Sequence, residues 1–248
     1  MSTGSSLTGK VAIVTGAGRG IGRAIALGYA RAGATIGCAA RTVKEIDDLA
    51  AQVQSEGGLA VAVPTDVTDR PSVVQMFERV VAAYGGLDIV VINAGINLDR
   101  QPVESSDPKS WEATLAVNLL GAYYCAQAAT SYLKARGGGK IITIGSGLGH
   151  RGSAGCSAYA CSKAGLWMLT RVLAVELRPF NISVNELIPG PVRTTLDQHH
   201  QGQTSLIPQI EHEWVKEPDD VVPLALFLAT QSDLGPTAQS FSLMRRDG

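Results

Sequence analysis

The sequence is poor in cysteine, in aromatic side chains and in excess charge of either sign. Its four cysteines, Cys38, Cys125, Cys156 and Cys161, are too few for a disulfide scaffold and form no Cys-x-x-Cys pair of the zinc or thioredoxin type. Lysine and arginine total 21 against 22 aspartate and glutamate, a net charge of −1, so general attraction to nucleic acids or membrane surfaces is missing. No apolar run approaches the roughly 18 residues of a membrane-spanning helix.

What the chain has in quantity is small and aliphatic residues. Hydrophobic residues make up 45% of the 248 positions, aromatic residues only 5%, and glycine occurs 28 times. The N-terminal segment lacks the apolar core of a secretory signal. These properties predict a soluble, cytoplasmic protein with a single domain over residues 1–248, and they leave the abundance of glycine to be explained.

Short β-branched runs alternate with longer amphipathic stretches along the chain. The predicted strands are Val11–Thr15, Thr35–Ala40, Leu59–Val63, Ile89–Asn93, Lys140–Gly145, Ile182–Leu187 and Gln239–Met244. The predicted helices are Gly20–Ala32, Val43–Ser55, Pro71–Tyr84, Trp111–Ala135, Tyr159–Arg178 and Asp219–Thr230. Most strand candidates are continuous apolar runs, which suit parallel strands covered on both faces. The pattern therefore predicts an α/β fold, a Rossmann-like doubly wound parallel sheet of about seven strands with helices on both faces.

One segment, from Pro189 to Lys216, has no strong period. Long irregular segments in compact domains are functional lids or disordered loops, and this one follows the sixth strand, above the edge where such sheets bind ligands. We predict a substrate lid at about 190–216, with an idle loop as the alternative. The segment contains His199, His200 and His212, but their irregular context gives no metal-binding pattern, and no metal site is predicted.

The first glycine cluster, TGAGRGIG at Thr15–Gly22, follows an apolar strand and opens a helix. It reads TGxxxGxG rather than a strict GxGxxG, since the sixth position counted from Gly16 is Ile21. Glycine permits the tight turn and lets the backbone approach a pyrophosphate, while the helix start favours negative charge. The motif predicts dinucleotide binding through Gly16, Gly18, Arg19, Gly20, Ile21 and Gly22; an ordinary glycine-rich turn is the alternative for the motif by itself.

A tyrosine and a lysine four residues apart, Tyr159 and Lys163, share one face of a predicted helix. A phenol titrates at about pH 10, and a neighbouring ammonium favours the phenolate. Tyr159 is thereby predicted to exchange a proton with a substrate oxygen, while Ser146 holds and polarises that oxygen. Taken singly, a half-buried helix tyrosine and a turn serine are the simpler interpretations.

The order of these elements resembles the short-chain dehydrogenase/reductase family over essentially the whole chain. The elements are the TGAGRGIG turn, Asp66, Asn93-Ala94-Gly95, Asn118, Ser146, Tyr159-Ala160-Cys161-Ser162-Lys163 and Pro189-Gly190-Pro191-Val192-Arg193-Thr194. The resemblance implies the catalytic set Asn118, Ser146, Tyr159 and Lys163, in which Lys163 also binds the nicotinamide ribose and Asn118 anchors a water molecule. It also implies a homotetramer packed through the helices that carry Asn118 and Tyr159.

The resemblance extends to cofactor and substrate contacts. Asp66 with Val67 is implied to meet the adenine and Thr194 the nicotinamide carboxamide, with further cofactor contacts from Asn93, Ala94, Gly95, Pro189, Gly190 and Val192. The expected substrate pocket is formed by Ser146, Leu148, His150 and Pro191. Ile92 replaces the first asparagine of the family's common NNAG, and the C-terminal residues from Phe241 to Gly248 depart from the family pattern, which leaves the terminal subunit contacts open.

The choice of cofactor follows from charge. Enzymes of this fold that use NAD usually place an acid at the end of the second strand, where this chain has Ala40 followed by Arg41. Arg19 lies within the glycine turn. Two guanidinium groups and no carboxylate suit a 2′-phosphate, so NADP(H) is predicted as the preferred cofactor, with NAD(H) possible if either arginine is merely solvated.

The expected activity is the interconversion of a ketone and a secondary alcohol by hydride transfer. Within this class, a 3-oxoacyl-(acyl-carrier-protein) reductase and an enzyme for small ketones, sugars or cyclic alcohols both remain open. A non-catalytic cofactor-binding sensor or scaffold on the same fold is the alternative from another class, although the complete catalytic set argues against it. The expected partner is a small-molecule substrate, with neither nucleic acid nor membrane.

Overall fold

Seven parallel strands form one sheet in the order β3-β2-β1-β4-β5-β6-β7. The computed structural model describes residues 6–194, 196 and 214–244. The strands are β1 Val11–Thr15, β2 Thr35–Ala40, β3 Ala60–Pro64, β4 Ile89–Ile92, β5 Gly139–Ile144, β6 Ile182–Ile188 and β7 Ser240–Ser242. The α-helices of the described residues are α1 Gly20–Arg31, α2 Val43–Ser55, α3 Arg70–Tyr84, α4 Pro108–Leu115, α5 Gly121–Arg136, α6 Ser157–Leu177 and α7 Val222–Thr230.

Helices cover both faces of this sheet, which confirms the doubly wound architecture. Helices α1, α2 and α7 pack on one face, and α3, α5 and α6 pack on the other. Successive residues of β1 serve the two cores in turn, since Ala12 belongs to the first and Ile13 to the second, both with no exposed surface. A strand buried on both faces needs apolar residues at every position, which explains the continuous runs in the sequence.

Glycines end several of these helices. Gly85 follows α3 with φ of 77°, and Gly137 follows α5 with φ of 86°, both in the left-handed region that favours glycine. At the opposite end of α3, Asp69 caps the helix by accepting a hydrogen bond of 3.2 Å from the backbone N–H of Ser72. Part of the glycine excess therefore serves the repeated change from helix to strand.

The predicted helix Trp111–Ala135 is divided in the structure. Helix α4 begins at Pro108 because Asp107 accepts bonds from the backbone N–H groups of Lys109 and Ser110, at 3.3 and 3.0 Å. A π-helical turn, Ala116–Leu120, then separates α4 from α5. Such turns hold one extra residue and often occur at functional sites.

Most other boundaries lie within one or two residues of the prediction, and the sheet ends in a strand shorter than predicted. Strand β7 spans Ser240–Ser242, against the predicted Gln239–Met244. Helix α7 begins at Val222, after a 3₁₀ turn at Pro218–Val221, whereas the predicted helix begins at Asp219. Pro223 lies in the first turn of α7, where a proline needs no N–H partner.

Part of the predicted lid lies outside the described residues, namely 195 and 197–213, which include His199, His200 and His212. The flanks are described: Val192 and Lys216 pair in an isolated parallel bridge. Within the described ranges, no helix combines the length and apolar character needed to cross a bilayer. The same ranges contain no group of three histidine, cysteine, aspartate or glutamate side chains placed to hold a metal ion.

Candidate active site

A cleft opens at the carboxyl ends of the strands, and its lining includes the ends of β1 and β4, between which the strand order reverses. Ligands of doubly wound sheets bind at this switch point. Most of the predicted site residues line the cleft, namely Gly16, Gly18, Arg19, Gly20, Ile21, Arg41, Asp66, Val67, Asn93, Ala94, Gly95, Ser146, Tyr159, Lys163, Pro189, Gly190, Val192 and Thr194.

Five predicted residues do not line this cleft: Gly22, Asn118, Leu148, His150 and Pro191. Gly22 lies immediately behind it, where a Cβ atom would overlap the Asn93 side-chain nitrogen and the carbonyl oxygen of Gly16. Gly22 therefore serves the turn by close packing rather than by facing the cleft.

The glycine turn brings two strand ends into contact. Gly16 has φ of 64°, and a Cβ atom there would lie 2.9 Å from Cα of Ala94. Asn93 fixes the approach, because its side-chain nitrogen donates to the carbonyl oxygens of Thr15 and Gly16 at 2.9 and 3.1 Å. At the start of α1, Arg19 makes no side-chain capping bond, and the first turn has no acidic residue. The first N–H groups of α1 and the narrow glycine turn therefore fit the phosphates of a dinucleotide.

Ser146, Tyr159 and Lys163 meet on one side of the cleft. Lys163 Nζ lies 5.7 Å from the centre of the Tyr159 ring and donates a hydrogen bond of 2.7 Å to the carbonyl oxygen of Ile144. Ser146 follows β5, and its side chain is hydrogen-bonded to that of Tyr159. Strand end and helix face thus bring together the serine, tyrosine and lysine that the sequence spacing predicts.

The electrostatics of Tyr159 differ from the sequence-based expectation. Burial raises the pKa of the phenol above its usual value, while the hydrogen bond with Ser146 and the charge of Arg100 act in the lowering direction. The pKa of Lys163 is itself lowered to about 8, so this lysine is already neutral at the pH where the phenol ionises. Tyr159 is therefore a protonated phenol near neutral pH, ready to donate its proton. Arg100 comes from the loop after β4, at a position that no sequence motif marks.

Lys163 is buried, and burial lowers its pKa to about 8, while the negative charge of Glu186 acts in the raising direction. Glu186 has no exposed surface and lies within β6. Its side chain occupies the space where a Cβ atom of Gly145 would lie, immediately before Ser146. No motif marked Glu186, although a carboxylate inside a strand predicted to be covered on both faces was a signal that could have revealed it.

His150 faces this carboxylate. Its Nε2 atom lies 3.0 Å from Oε2 of Glu186, and its ring packs edge-on against Trp167 at 5.1 Å between centres. Ser240 donates a second hydrogen bond, 2.6 Å long, to the same carboxylate oxygen. Attraction to Glu186 thus explains why His150 lies outside the lining of the cleft, contrary to the expected substrate pocket.

Asn118 lies in the π-helical turn and is almost fully buried. Its Oδ1 atom accepts a 2.8 Å bond from the N–H of Ile96, and its Nδ2 atom donates to the carbonyl oxygen of Ile96 and to Ser162 Oγ, at 2.8 and 3.0 Å. The side chain therefore joins the loop after β4 to helix α6. The water implied for Asn118 by the family resemblance stays a prediction.

The far end of the cleft combines two arginines with two carboxylates. Burial opposes ionisation of Asp66, but two hydrogen bonds from Thr68 and the charge of Arg41 hold the pKa of this carboxyl below its usual value. Glu45 was not predicted, yet it lines the cleft, with Oε1 4.0 Å from Nη1 of Arg19. The signal was its place in the first turn of the helix predicted from Val43, directly after the end of β2.

One more unpredicted residue, Asn97, lines the cleft. Asn97 is buried in the loop after β4, and its Oδ1 atom has no hydrogen-bond partner among the described residues. A buried acceptor without a partner is costly unless a ligand or water satisfies it. No sequence pattern marks this residue, because its position depends on the course of an irregular loop.

Comparison with known proteins agrees with this geometry. A family model described as short chain dehydrogenase matches residues 10–204. The 3-oxoacyl-(acyl-carrier-protein) reductase of Thermotoga maritima is 32% identical over 235 residues, covering 94% of this chain and 95% of the relative.

Two solved structures extend the comparison to three dimensions. A short-chain type dehydrogenase/reductase from Mycobacterium marinum has a TM-score of 0.88 at 34% identity and covers 96% of this chain and 95% of its own. A putative NAD(P) dependent gluconate 5-dehydrogenase from Beutenbergia cavernae, with NADP bound at low occupancy, has a TM-score of 0.87 at 36% identity and covers 96% of each chain.

Proposed function

The chain belongs to the short-chain dehydrogenase family of NAD(P)-dependent oxidoreductases, and on that premise we propose that it interconverts a ketone and a secondary alcohol with NADP(H). The observation that carries the proposal is the meeting of Ser146, Tyr159 and Lys163 on one side of a cleft whose other end suits a dinucleotide. No part of this geometry is needed for a fold that only packs a sheet between helices.

The residues of this chain account for the proton side of the reaction. When bound, the nicotinamide supplies or accepts the hydride. Ser146 holds the substrate oxygen beside the phenol of Tyr159, to which its own side chain is hydrogen-bonded. Because burial keeps Tyr159 protonated, the phenol donates a proton to that oxygen in the direction of reduction. In the direction of oxidation, the phenolate form accepts the proton of the alcohol. The positive charge of Lys163 stabilises the phenolate left after donation.

The predicted cofactor contacts belong to this proposal. The glycine turn and the start of α1 would hold the pyrophosphate, Asp66 and Val67 the adenine, and Lys163 the nicotinamide ribose. The remaining contacts would come from the strand ends that carry Asn93, Ala94 and Gly95 and from the segment with Pro189, Gly190, Val192 and Thr194.

Preference for NADP(H) is supported by Arg19 and Arg41, which line the same end of the cleft as Ala40. Guanidinium groups bind phosphate well, and the end of β2 offers no carboxylate of its own. Dissociation constants for NADPH and NADH, measured by calorimetry at fixed salt, test the proposal. Arg41→Ala is expected to weaken the binding of NADPH more than the binding of NADH. Tighter binding of NADH than of NADPH by the unaltered protein would refute the preference.

The similar proteins suggest two of the substrate classes that the residues leave open. An acyl thioester is suggested by the reductase of Thermotoga maritima, and a hydroxy acid by the putative gluconate dehydrogenase. The second class is favoured by the charge of Arg100, which acts on Tyr159, and by the unsatisfied acceptor of Asn97. Consumption of NADPH with a panel of ketones, keto acids and acyl thioesters separates the two. Turnover of none, with NADPH bound, would favour a non-catalytic cofactor-binding protein instead.

The proposed assembly is a homotetramer. Helix α6 exposes Met168, Val172 and Val175, whose fractional exposures are 49, 45 and 68%. Their spacing places them on one side of the helix, and Tyr123 of α5 is also exposed. An apolar helix face of this kind is typical of a subunit interface.

A further inference from the structure

A carboxylate lies at the end of the cleft proposed for the adenosine part of the cofactor. Glu45 lines the cleft together with Arg19, Arg41 and Thr42. Its Oε1 atom lies 4.0 Å from Arg19 Nη1, and its side chain is about one-third exposed. Glu45 therefore adds a negative charge at the place where the sequence alone offers only positive charge.

The fold fixes the position of this carboxylate. Glu45 lies in the first turn of α2, and its N–H donates to the carbonyl oxygen of Thr42 at 3.1 Å. A carboxylate is favoured at this end of a helix by the helix dipole. The side chain also lies over Gly18, where a Cβ atom would lie only 2.8 Å from Cβ of Glu45. The absence of a side chain at position 18 thus lets Glu45 lie against the glycine turn.

This placement affects two forms of the same ligand differently. A phosphate on the adenosine ribose would bring negative charge next to Glu45 and compete with it for Arg19. A free ribose hydroxyl would instead donate a hydrogen bond to a carboxylate, the role that acids serve in NAD-binding members of this fold. Glu45 and the two arginines therefore act in opposite directions on cofactor choice.

We propose that Glu45 is a specificity-determining residue that opposes Arg19 and Arg41, narrowing the preference for NADP(H) so that the protein also accepts NAD(H). The inference rests on the proposed function, since it assumes that this cleft binds a nicotinamide dinucleotide. Its distinctive consequence is that removing the charge of Glu45, and not another charge of α2, improves binding of the phosphorylated cofactor only.

Direct binding to fragments tests this at the adenosine end alone. Dissociation constants of 2′,5′-ADP and 5′-ADP, and of NADPH and NADH, are measured by calorimetry for the unaltered protein and for Glu45→Gln. The variant is expected to bind 2′,5′-ADP and NADPH more tightly by on the order of tenfold, with 5′-ADP and NADH unchanged or weaker. Asp47→Asn is the matched control, because it removes the same charge from an exposed position of α2 and is expected to leave the ratio unchanged.

The possible results separate the inference from the proposed function. A ratio of NADPH to NADH affinity that is the same in Glu45→Gln as in the unaltered protein would overturn the inference and leave the proposed function standing. An equal change in Asp47→Asn would also overturn it, since net charge would then be the cause. Glu45→Ala is expected to move the ratio in the same direction as Glu45→Gln. An unaltered protein that binds none of the four nucleotides would overturn both.

Discussion

Oε2 of Glu186 lies 3.0 Å from Nε2 of His150, and this pair lies directly behind the strand end that carries Ser146. The carboxylate is fully buried, and the absence of a side chain at Gly145 makes room for it. Its charge acts on Lys163 against the effect of burial. One buried acid thus contributes to the charge state of the lysine on which the proposed chemistry depends.

The pH dependence of activity follows from this relationship. Reduction is expected to decline as pH rises through about 8, because Lys163 loses the positive charge that stabilises the phenolate. Glu186→Gln removes the charge that raises the pKa of Lys163, so the alkaline limb of the profile is expected to move to lower pH. The measurement is kcat/KM from about pH 6 to about pH 10. Glu176→Gln, at an exposed position of α6, is the control; an alkaline limb that stays in place in Glu186→Gln contradicts the prediction.

The same lysine makes stability depend on pH in the opposite direction. Its pKa falls from 10.5 to about 8 on folding, so the buried cation weakens the fold below about pH 8. This cost diminishes as pH rises from about 8 to 10.5, where the unfolded chain binds the proton and the folded chain does not. Lys163→Met is expected to have a higher free energy of unfolding than the unaltered protein, and the difference should be largest below pH 8. Urea denaturation at several pH values measures this difference. A difference that does not change with pH would contradict the prediction.

Loss of the phenol oxygen is expected to abolish turnover while keeping the cofactor site. Tyr159→Phe should lower kcat by several orders of magnitude, because it removes the phenol that is proposed to donate the proton to the substrate oxygen. NADPH affinity should change little. Tyr123→Phe, on the exposed side of α5, provides the comparison. Turnover in Tyr159→Phe equal to that of the unaltered protein would remove Tyr159 from the proposed mechanism.

The glycine turn has a measurable packing cost. Gly22→Ala would bring a Cβ atom into the Asn93 side chain and the carbonyl oxygen of Gly16. Such overpacking is expected to lower the free energy of unfolding by about 1–3 kcal/mol. Gly152→Ala is the matched substitution, since nothing lies within 4 Å of the added atom. Chemical denaturation of both variants measures the costs, which should differ clearly; equal costs would mean that the close approach at Gly22 is relaxed.

The proposed tetramer depends on the apolar side of α6. Val172→Glu places a charge between Met168 and Val175 and is expected to dissociate the assembly, because a charge buried in an interface without a partner is costly. Light scattering coupled to gel filtration gives the mass. Leu234→Glu changes a residue that is 83% exposed and lies outside this helix face, so its assembly should be unchanged. A monomeric unaltered protein would refute the tetramer directly.

Local patterns in the sequence were sufficient to predict much of the architecture. Strands such as β1 and β4 are buried on both faces and so carry unbroken apolar runs that need no tertiary information to recognise. Tyr159 and Lys163 could be paired because a helix brings positions four apart onto one face.

The residues that sequence analysis missed depend on contacts between distant segments. Arg100 and Asn97 act through the course of an irregular loop, and Glu45 acts by lying over Gly18, 27 positions earlier. Glu186 was visible as a charge in a strand predicted to be buried, but its partners His150 and Ser240 come from two other segments. Burial raises the pKa of Tyr159, whereas the sequence predicted a lowered pKa. Helix spacing indicates which side chains are neighbours, but it does not indicate how far a side chain is exposed to solvent.

The π-helical turn at Ala116–Leu120 sets the rotational phase between α4 and α5. Each residue of a helix advances the chain by about 100°, so a deletion in this turn would rotate all of α5 by that angle relative to α4. Asn118 would leave the reach of Ile96, and the side of α5 that carries Tyr123 would turn away from its present direction. The extra residue of the π-helical turn therefore sets both the contact of Asn118 with the loop after β4 and the direction of the exposed side of α5. A change in the length of this turn would alter both together.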